Sequence, residues 1–317
     1  MKRYFLEHIT TYKYSNFVTE SSNKIMLYPY NEINQQIVNH SINITGNPKI
    51  ITHIDSFNNR VGFFTYTKPH RSLTINSKAE IIKKKIELPD DIEDIQKQWQ
   101  LLKNISNTNQ YFIFTNYDNR KCNSELMKVV KSIKNENSSP FNLVQNLCNY
   151  VNKEFKYKKG ITNVFTDVDE VWLLKSGVCQ DFTNILLQII RLGGIPARYV
   201  SGYVHGTGRI RGAFATHAWV EFYIPLFGWL GIDPTNNCIA DINHIRLSVG
   251  RNYNDCSPVK GIFKGNQTQK MDIKVSLDTK KIINKQNEIR DTGYPVELEN
   301  EKNSFRKNLQ IIQQQQQ

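Results

Sequence analysis

The 317-residue chain has no long apolar run. A transmembrane helix needs about 18 or more consecutive apolar residues, so none is expected. The opening stretch, Met1-Lys2-Arg3-Tyr4-Phe5-Leu6-Glu7-His8, also lacks the apolar core of a secretory leader, and the sequence alone points to the cytoplasm. Cysteine is scarce: Cys122, Cys148, Cys179, Cys238 and Cys256 cannot all pair, and none stands in a Cys-x-x-Cys arrangement. A disulfide framework and a structural zinc site are thereby disfavoured, and a single working thiol becomes the feature to seek. Acidic residues are outnumbered 29 to 41, giving a net charge of +12, yet no nucleic-acid motif accompanies the excess. The longest basic run, Lys83-Lys84-Lys85, reads as a solvated strand end, and the scattered charge implies at most weak attraction to acidic partners. With 39% hydrophobic and 11% aromatic residues the chain can fill a large core, and its length suggests two domains at roughly 150 residues each.

The pattern divides at Leu88-Pro89. Residues 1–88 read as short strands, Tyr4 to Tyr14, Lys24 to Tyr30, Gln35 to Thr45, Ile50 to Asp55, Arg60 to Tyr66 and Ser72 to Lys83, separated by Asn, Gly, Ser and Pro clusters. Asn58-Asn59 is a hairpin signal, and the whole predicts an N-terminal antiparallel β-sandwich. Residues 89–153 carry helical patterns. Ser124 is placed to cap one helix, and Ser139-Pro140 to open another whose apolar stripe includes Cys148, read as a core residue. Residues 154–279 mix helix and strand. Asp167 and Glu170 have capping-box spacing for a helix through Lys175. A second helix, from Cys179 to Leu192, places Phe182, Ile185, Leu186, Ile189 and Ile190 on one face before Gly193-Gly194. Strands follow at Arg198 to Val204, His217 to Ile224 and Gly228 to Asp233. The alternation of Met271, Ile273, Val275 and Leu277 adds one that returns to a sheet. The polar stretch 280–317, ending in five glutamines, reads as disordered. The fold class is α+β.

Three residues at element ends carry the candidate chemistry: Cys179, His217 and Asp233. Cys179 opens an amphipathic helix, where unpaired N–H groups and the positive dipole end favour thiolate over thiol. A thiolate is a nucleophile for covalent acyl transfer, His217 can hold it as an ion pair and protonate a leaving amine, and Asp233 can fix the imidazole tautomer. Sheet parity tests the last role. A two-residue turn at Leu226-Phe227 would set Asp233 against Val220 and on the wrong face, so an odd-length loop or a bulge is required, with Asp233 opposite Trp219.

The segments Gly177-Val178-Cys179-Gln180-Asp181-Phe182, Gly194-Ile195-Pro196-Ala197-Arg198-Tyr199-Val200-Ser201-Gly202-Tyr203, Thr216-His217-Ala218-Trp219-Val220-Glu221 and Gly228-Trp229-Leu230-Gly231-Ile232-Asp233-Pro234-Thr235-Asn236 resemble the bacterial transglutaminase-like family. Members of that family are often described as candidate cysteine proteases. The N-terminal strands are similar to its preceding β-rich domain, and Gly250-Arg251-Asn252-Tyr253 with Ser257-Pro258-Val259-Lys260-Gly261 to its post-catalytic segment. Asn252 and Cys256 depart from that pattern, where an Asp and a small or apolar residue are expected. The resemblance implies a papain-like core with the Cys helix on an antiparallel sheet. It assigns Cys179 as nucleophile, His217 as general acid/base and Asp233 as orienter.

The first oxyanion donor is expected to be the Cys179 N–H, and the second Gln180 or the Trp172 indole. Trp172, Gln180 and Trp219 are therefore assigned to the oxyanion and substrate cleft. The glycine-spaced segment His205 to Gly212 reads as a flexible connection or a basic lid, and Cys238 as incidental packing near the cleft. A metal site from His205, Asp241 and His244 has no supporting ligand spacing, and no cofactor is expected. The expected activity is thiol-dependent hydrolysis of a peptide or protein amide. The alternatives are glutaminyl transfer to an amine, or an inactive binding protein on the same fold. No nucleic-acid or membrane partner is expected, and the oligomeric state is not encoded in any motif.

Overall fold

The computed structural model describes residues 1–88, 94–106, 108–163, 166–206, 210–213 and 215–280. The stretch expected to be disordered, 280–317, lies outside the described residues apart from Lys280, as do residues 207–209 of the glycine-spaced segment. No helix among the described residues is long and apolar enough to cross a membrane.

Six strands come first: β1 (Lys2–Val18), β2 (Ser21–Ile25), β3 (Gln35–Ile44), β4 (Ile51–Ile54), β5 (Arg60–Tyr66) and β6 (His70–Lys83). Four helices follow, α1 (Ile95–Ser106), α2 (Asn109–Thr115), α3 (Asn123–Ile133) and α4 (Pro140–Glu154). The remainder is β7 (Lys156–Tyr157), α5 (Val168–Leu174), β8 (Ser176–Gly177), α6 (Cys179–Leu192), β9 (Ala197–Val204), β10 (His217–Ile224), β11 (Gly228–Asp233), β12 (Cys238–Ile239), β13 (His244–Gly250), α7 (Tyr253–Cys256), β14 (Val259–Phe263) and β15 (Gln269–Asp278).

Period-2 patterning builds the sandwich. Along β1, Tyr4, Leu6, His8, Thr10, Tyr12 and Tyr14 are buried while their neighbours are not. Its two antiparallel sheets run β15-β1-β6-β3 and β14-β2-β5-β4, so strands from late in the chain complete both. The alternating segment ending at Leu277 is β15, which pairs with β1 from Phe5↔Asp278 to Tyr14↔Gln269. One N-terminal expectation needs correction. The strand expected over Lys24 to Tyr30 is instead Ser21–Ile25, because the chain then leaves the sheet and gives the N–H groups of Met26 and Tyr30 to Pro258 O and Arg246 O. The hairpin that Asn58-Asn59 signals does form, between β4 and β5, and its connection spans residues 55–59 between Ile54 and Arg60. There Asp55 Oδ1 accepts from the N–H groups of Phe57 and Asn59.

The helices follow their caps. Ser139 Oγ accepts from Asn142 N at 3.2 Å with Pro140 in the first turn, and Asp167 Oδ1 accepts from Glu170 N at 2.9 Å. The α5 helix stops at Lys175 in the left-handed region. Ser124 does not cap α3: that helix begins one residue earlier, and Asp169 Oδ1 binds the N–H of Cys122. On α6, Phe182, Ile185, Leu186, Ile189 and Ile190 are fully buried, each contributing roughly 1.5–3 kcal/mol by area. That face joins the apolar cluster of the five-stranded antiparallel sheet β12-β11-β10-β9-β13, against which α6 packs through β10 and β9.

Candidate active site

Local chemistry fixes the start of α6. Val178 is the N-cap in extended backbone, and valine has no acceptor to offer the first turn. Asp181, at the third helical position, supplies the missing bond by accepting the Val178 N–H at 2.7 Å on Oδ2, which also accepts from Thr162 Oγ1 at 2.7 Å. Burial pushes the Asp181 carboxyl up to about 6 despite those two bonds. A side chain at Gly177 would bring a Cβ within 2.3 Å of Asp181 Oδ2, so only glycine fits before the cap. Cys179 thus stands at the positive end of a rigid helix.

Sheet register delivers the other two residues. The β10–β11 ladder pairs Val220 with Ile232 and Ile224 with Gly228, leaving a three-residue connection with Leu226 at φ 66°. The odd length carries Asp233 opposite Trp219 and onto the face of His217, as parity requires. His217 Nε2 donates to Asp233 Oδ2 at 2.7 Å. The same oxygen accepts from Asn236 Nδ2 at 2.7 Å and from His244 Nε2 at 3.2 Å, while Oδ1 accepts from the N–H groups of Thr235 and Asn236.

Burial alone would strip the proton from His217, but the Asp233 charge and hydrogen bond, with Cys179 adding to them, raise its pKa to about 10. Burial likewise opposes charge on Asp233, and His217 and His244 override it, holding the carboxyl far below the usual range. His244 goes the other way. Burial lowers its pKa against the pull of Asp233, with His217 and Lys83 lowering it further. One carboxylate thus bonds two imidazoles whose pKa values are driven in opposite directions.

The residues offered for the cleft fare differently. The Trp172 indole N–H is a correction: it donates to Glu125 Oε2 at 2.6 Å, beneath the Lys175 ammonium, and is not free to meet an oxyanion. Trp219 is buried beside His217 and edge-on to His244, its ring centroid 5.2 Å away, and it packs against Val200, Val249 and Ala240. A Cβ at Gly202 would come within 2.5 Å of that indole, so Trp219 supports the histidines from within the fold. Gln180 is 3% exposed, and its carboxamide makes no hydrogen bond among the described residues.

The thiol is not open to solvent, although a place at an element end would allow that. Cys179 and Asp233 are 0% exposed and His217 is 1% exposed. The segment 210–213 lies against them: Arg211 N donates to Asn236 Oδ1, Asn236 Nδ2 returns a bond to Arg211 O, and the Arg211 guanidinium rests over the Tyr157 ring. A Cβ at Gly212, whose φ is 85°, would lie 2.2 Å from His217 Nδ1, a nitrogen with no hydrogen-bond partner among the described residues. Cys148 is core, as expected, its Sγ 3.7 Å from Asp233 O, whereas Cys238 is exposed.

Sequence reasoning missed His244 as a second imidazole on Asp233, and it missed the clip from Asn236 to Arg211. Asn236 was visible within Asp233-Pro234-Thr235-Asn236, but His244 opens a strand with no distinguishing pattern. Ligand atoms of His217, Asp233 and His244 lie within 4.8 Å of one another, which would suit a metal ion, yet the two imidazole N–H groups already satisfy Oδ2. Of the residues considered for a metal at the outset, Asp241 instead accepts from Ile86 N at 2.7 Å.

Comparison with known proteins agrees with the geometry. Residues 127–234 match the transglutaminase-like superfamily model, and residues 4–82 match that of the bacterial transglutaminase-like N-terminal region. An uncharacterised protein of Mycobacterium tuberculosis is 31% identical over 303 residues, covering 87% of this chain and 92% of its own length. A protein-glutamine gamma-glutamyltransferase of Pseudomonas aeruginosa is 40% identical over 67 residues, 19% of this chain and 10% of that protein. In fold, the chain is similar to a crystal structure of a candidate cysteine protease from Cytophaga hutchinsonii. The TM-score is 0.68 at 17% identity, covering 89% of this chain and 92% of the other. With its β-rich N-terminal region and a core of the same superfamily behind it, the chain belongs to the bacterial transglutaminase-like proteins.

Proposed function

We propose that this protein is a thiol-dependent acyl-transfer enzyme acting on amide bonds of peptide or protein substrates. The observation that carries the reading is the buried His217–Asp233 pair, poised in its charged form beside a cysteine at a helix start. Cys179 Sγ attacks the carbonyl carbon, and the oxyanion is met by the Cys179 N–H, one of the first-turn donors with no intrahelical acceptor. The imidazolium of His217 gives its Nδ1 proton to the amine as the C–N bond breaks, leaving a thioester on Cys179 and a neutral ring. Asp233 holds Nε2–H throughout and fixes the tautomer. Neutral His217 then takes a proton from water, whose oxygen attacks the thioester. The carboxylic acid leaves and the ion pair is restored.

A second reading replaces water with a primary amine. The enclosure of all three side chains favours it, because a site that excludes bulk water protects a thioester for aminolysis. Incubation with a glutamine-containing peptide, with and without a primary amine, separates the two: ammonia release alone indicates hydrolysis, and amine incorporation indicates transfer. In either case Cys179→Ala is the blank, and full activity in that variant refutes the mechanism. Alkylation of Cys179 by iodoacetamide at pH 6 no faster than that of Cys122 or Cys238 would favour an inactive binding protein.

A further inference from the structure

The segment beginning Gly250-Arg251-Asn252-Tyr253 and the polar face of α6 take no part in the chemistry above. They meet in a cleft of about 350 Å³ walled also by residues of α2 and the start of α5. Gln180, Asn184, Gln188 and Arg191 follow one another along α6 at helical spacing and all line it. One group there lacks the hydrogen-bond partner its burial demands, and another lacks a counter-charge. Gln180, the neighbour of Cys179, buries a carboxamide that bonds to nothing among the described residues. Arg191 buries a guanidinium that, among the described residues, donates only to the carbonyls of Ala197 and Arg251. The other charges of the cleft are matched, Arg120 with Asp118 and Asp167, and Arg251 with Asp255. Asp118 and Asp255 act on Arg191 only from a distance, and among the described residues no carboxylate forms an ion pair with it. A buried cation without an anion is a costly arrangement in a binding cleft unless a ligand supplies the charge.

Gln180 and Arg191 are eleven positions apart on one helix, about 16 Å at 1.5 Å per residue. An extended peptide covers that distance in about five residues at about 3.3 Å each. We propose that this cleft is the binding groove for an acidic peptide. Its main-chain amides pair with the side chains of Gln180 and Asn184, and a carboxylate about five residues from the reactive amide is held by Arg191. The net charge of +12 favours such a ligand. That the bound peptide is the acyl donor rests on the nucleophile reading of Cys179. The groove itself does not.

The test uses the full chain carrying Cys179→Ala and fluorescence anisotropy with two labelled, amidated hexapeptides, Gln-Ala-Ala-Ala-Ala-Glu and the same sequence ending in Gln. The Glu peptide is expected to bind at least tenfold tighter, Arg191→Gln to abolish that preference and Arg191→Lys to keep part of it. Arg191 also anchors two carbonyls, so Gln180→Leu and Asn184→Leu serve if Arg191→Gln does not fold. Each should weaken both peptides at least tenfold while sparing the preference for Glu. Equal binding of the two peptides, a preference that survives Arg191→Gln, or unchanged affinity in both leucine variants overturns the proposal. Iodoacetamide labelling of Cys179 in the unmutated protein reads the nucleophile separately, so loss of peptide selectivity with intact labelling strikes the groove alone.

Discussion

Asp233→Asn removes a charge from the floor of the site while nearly preserving its shape, and so isolates the electrostatic hold on His217. The displacement of the imidazole from its ordinary 6.5 to about 10 is worth about 5 kcal/mol in favour of the charged ring, at about 1.4 kcal/mol per pKa unit. Without the carboxylate only Cys179 still favours the proton, and burial, the largest influence, opposes it. The alkaline limb of kcat/KM, near pH 10 in the parent, should therefore fall to about 6.5. At pH 8 the charged ring then drops to about one molecule in thirty, and the rate falls at least about thirtyfold from protonation alone. Stability should move with it. His217 titrates higher in the folded state, so its contribution is complete below about pH 6.5 and is lost as the pH rises to about 10. Asp233 is held below its ordinary range, so its contribution is present above about pH 4 and is lost in acid. The assay is a pH profile of amide turnover, paired with calorimetric unfolding midpoints from pH 6 to 10. A variant whose alkaline limb stays within half a unit of the parent's, or whose midpoint falls with pH as the parent's does, refutes the reasoning.

Gly212→Ala is expected to lower kcat at least tenfold with a modest loss of stability. A Cβ there meets His217 Nδ1 at 2.2 Å, and φ is 85°. Steady-state turnover beside a thermal melt checks it, and undiminished kcat counts against the close approach. Trp172→Phe should leave kcat within twofold and cost about 1 kcal/mol in urea unfolding, since the indole N–H serves Glu125. A hundredfold loss of kcat would return Trp172 to the oxyanion. Glu221→Gln should destabilise by about 3–5 kcal/mol, because it strands the guanidinium of Arg198 and leaves Arg246 with Glu32 alone, and an unfolding curve like the parent's would rule this out.

How far the sequence could be read depended on how local each feature is. The helix at Cys179 was legible because its five apolar positions follow one period, and the β10–β11 loop because parity leaves no other way to bring Asp233 to His217. Strand β13 was invisible. All seven of its residues are buried, so the polar ones, His244, Arg246 and Ser248, break any alternation. Their partners, Asp233, Glu221 and the carbonyl of Cys256, lie elsewhere in the chain. Trp172 was misread for the same reason, as its acceptor is 47 positions upstream. Cys179 is buried although it opens its helix, and Gly212 and Arg211 rest on His217, Tyr157 and Asn236 from distant parts of the chain, a property that no periodicity records.

The sandwich explains which side of the site can yield. In the sheet carrying His217 and Asp233, β13 is an edge strand, and edges left open invite pairing. Two sandwich carboxamides close it in the manner of a neighbouring strand. Gln35 donates to Arg246 O and accepts from Arg246 N, and Asn59 does the same for Val249. Arg246 reaches on to both Glu221 and Glu32, tying β10 to the N-terminal segment through buried charge. His8 Nδ1 bonds the Tyr203 hydroxyl at 2.8 Å, and burial lowers the His8 pKa to about 3, so this tie does not titrate near neutrality. Each of these contacts sits on the side of β9 and β13, where movement would break several buried bonds together. Across the sheet, segment 210–213 is held beside His217 by two hydrogen bonds to one half-buried asparagine and a ring contact. Opening is therefore cheapest there, and under the proposed mechanism it would free His217 Nδ1 from the close approach of Gly212.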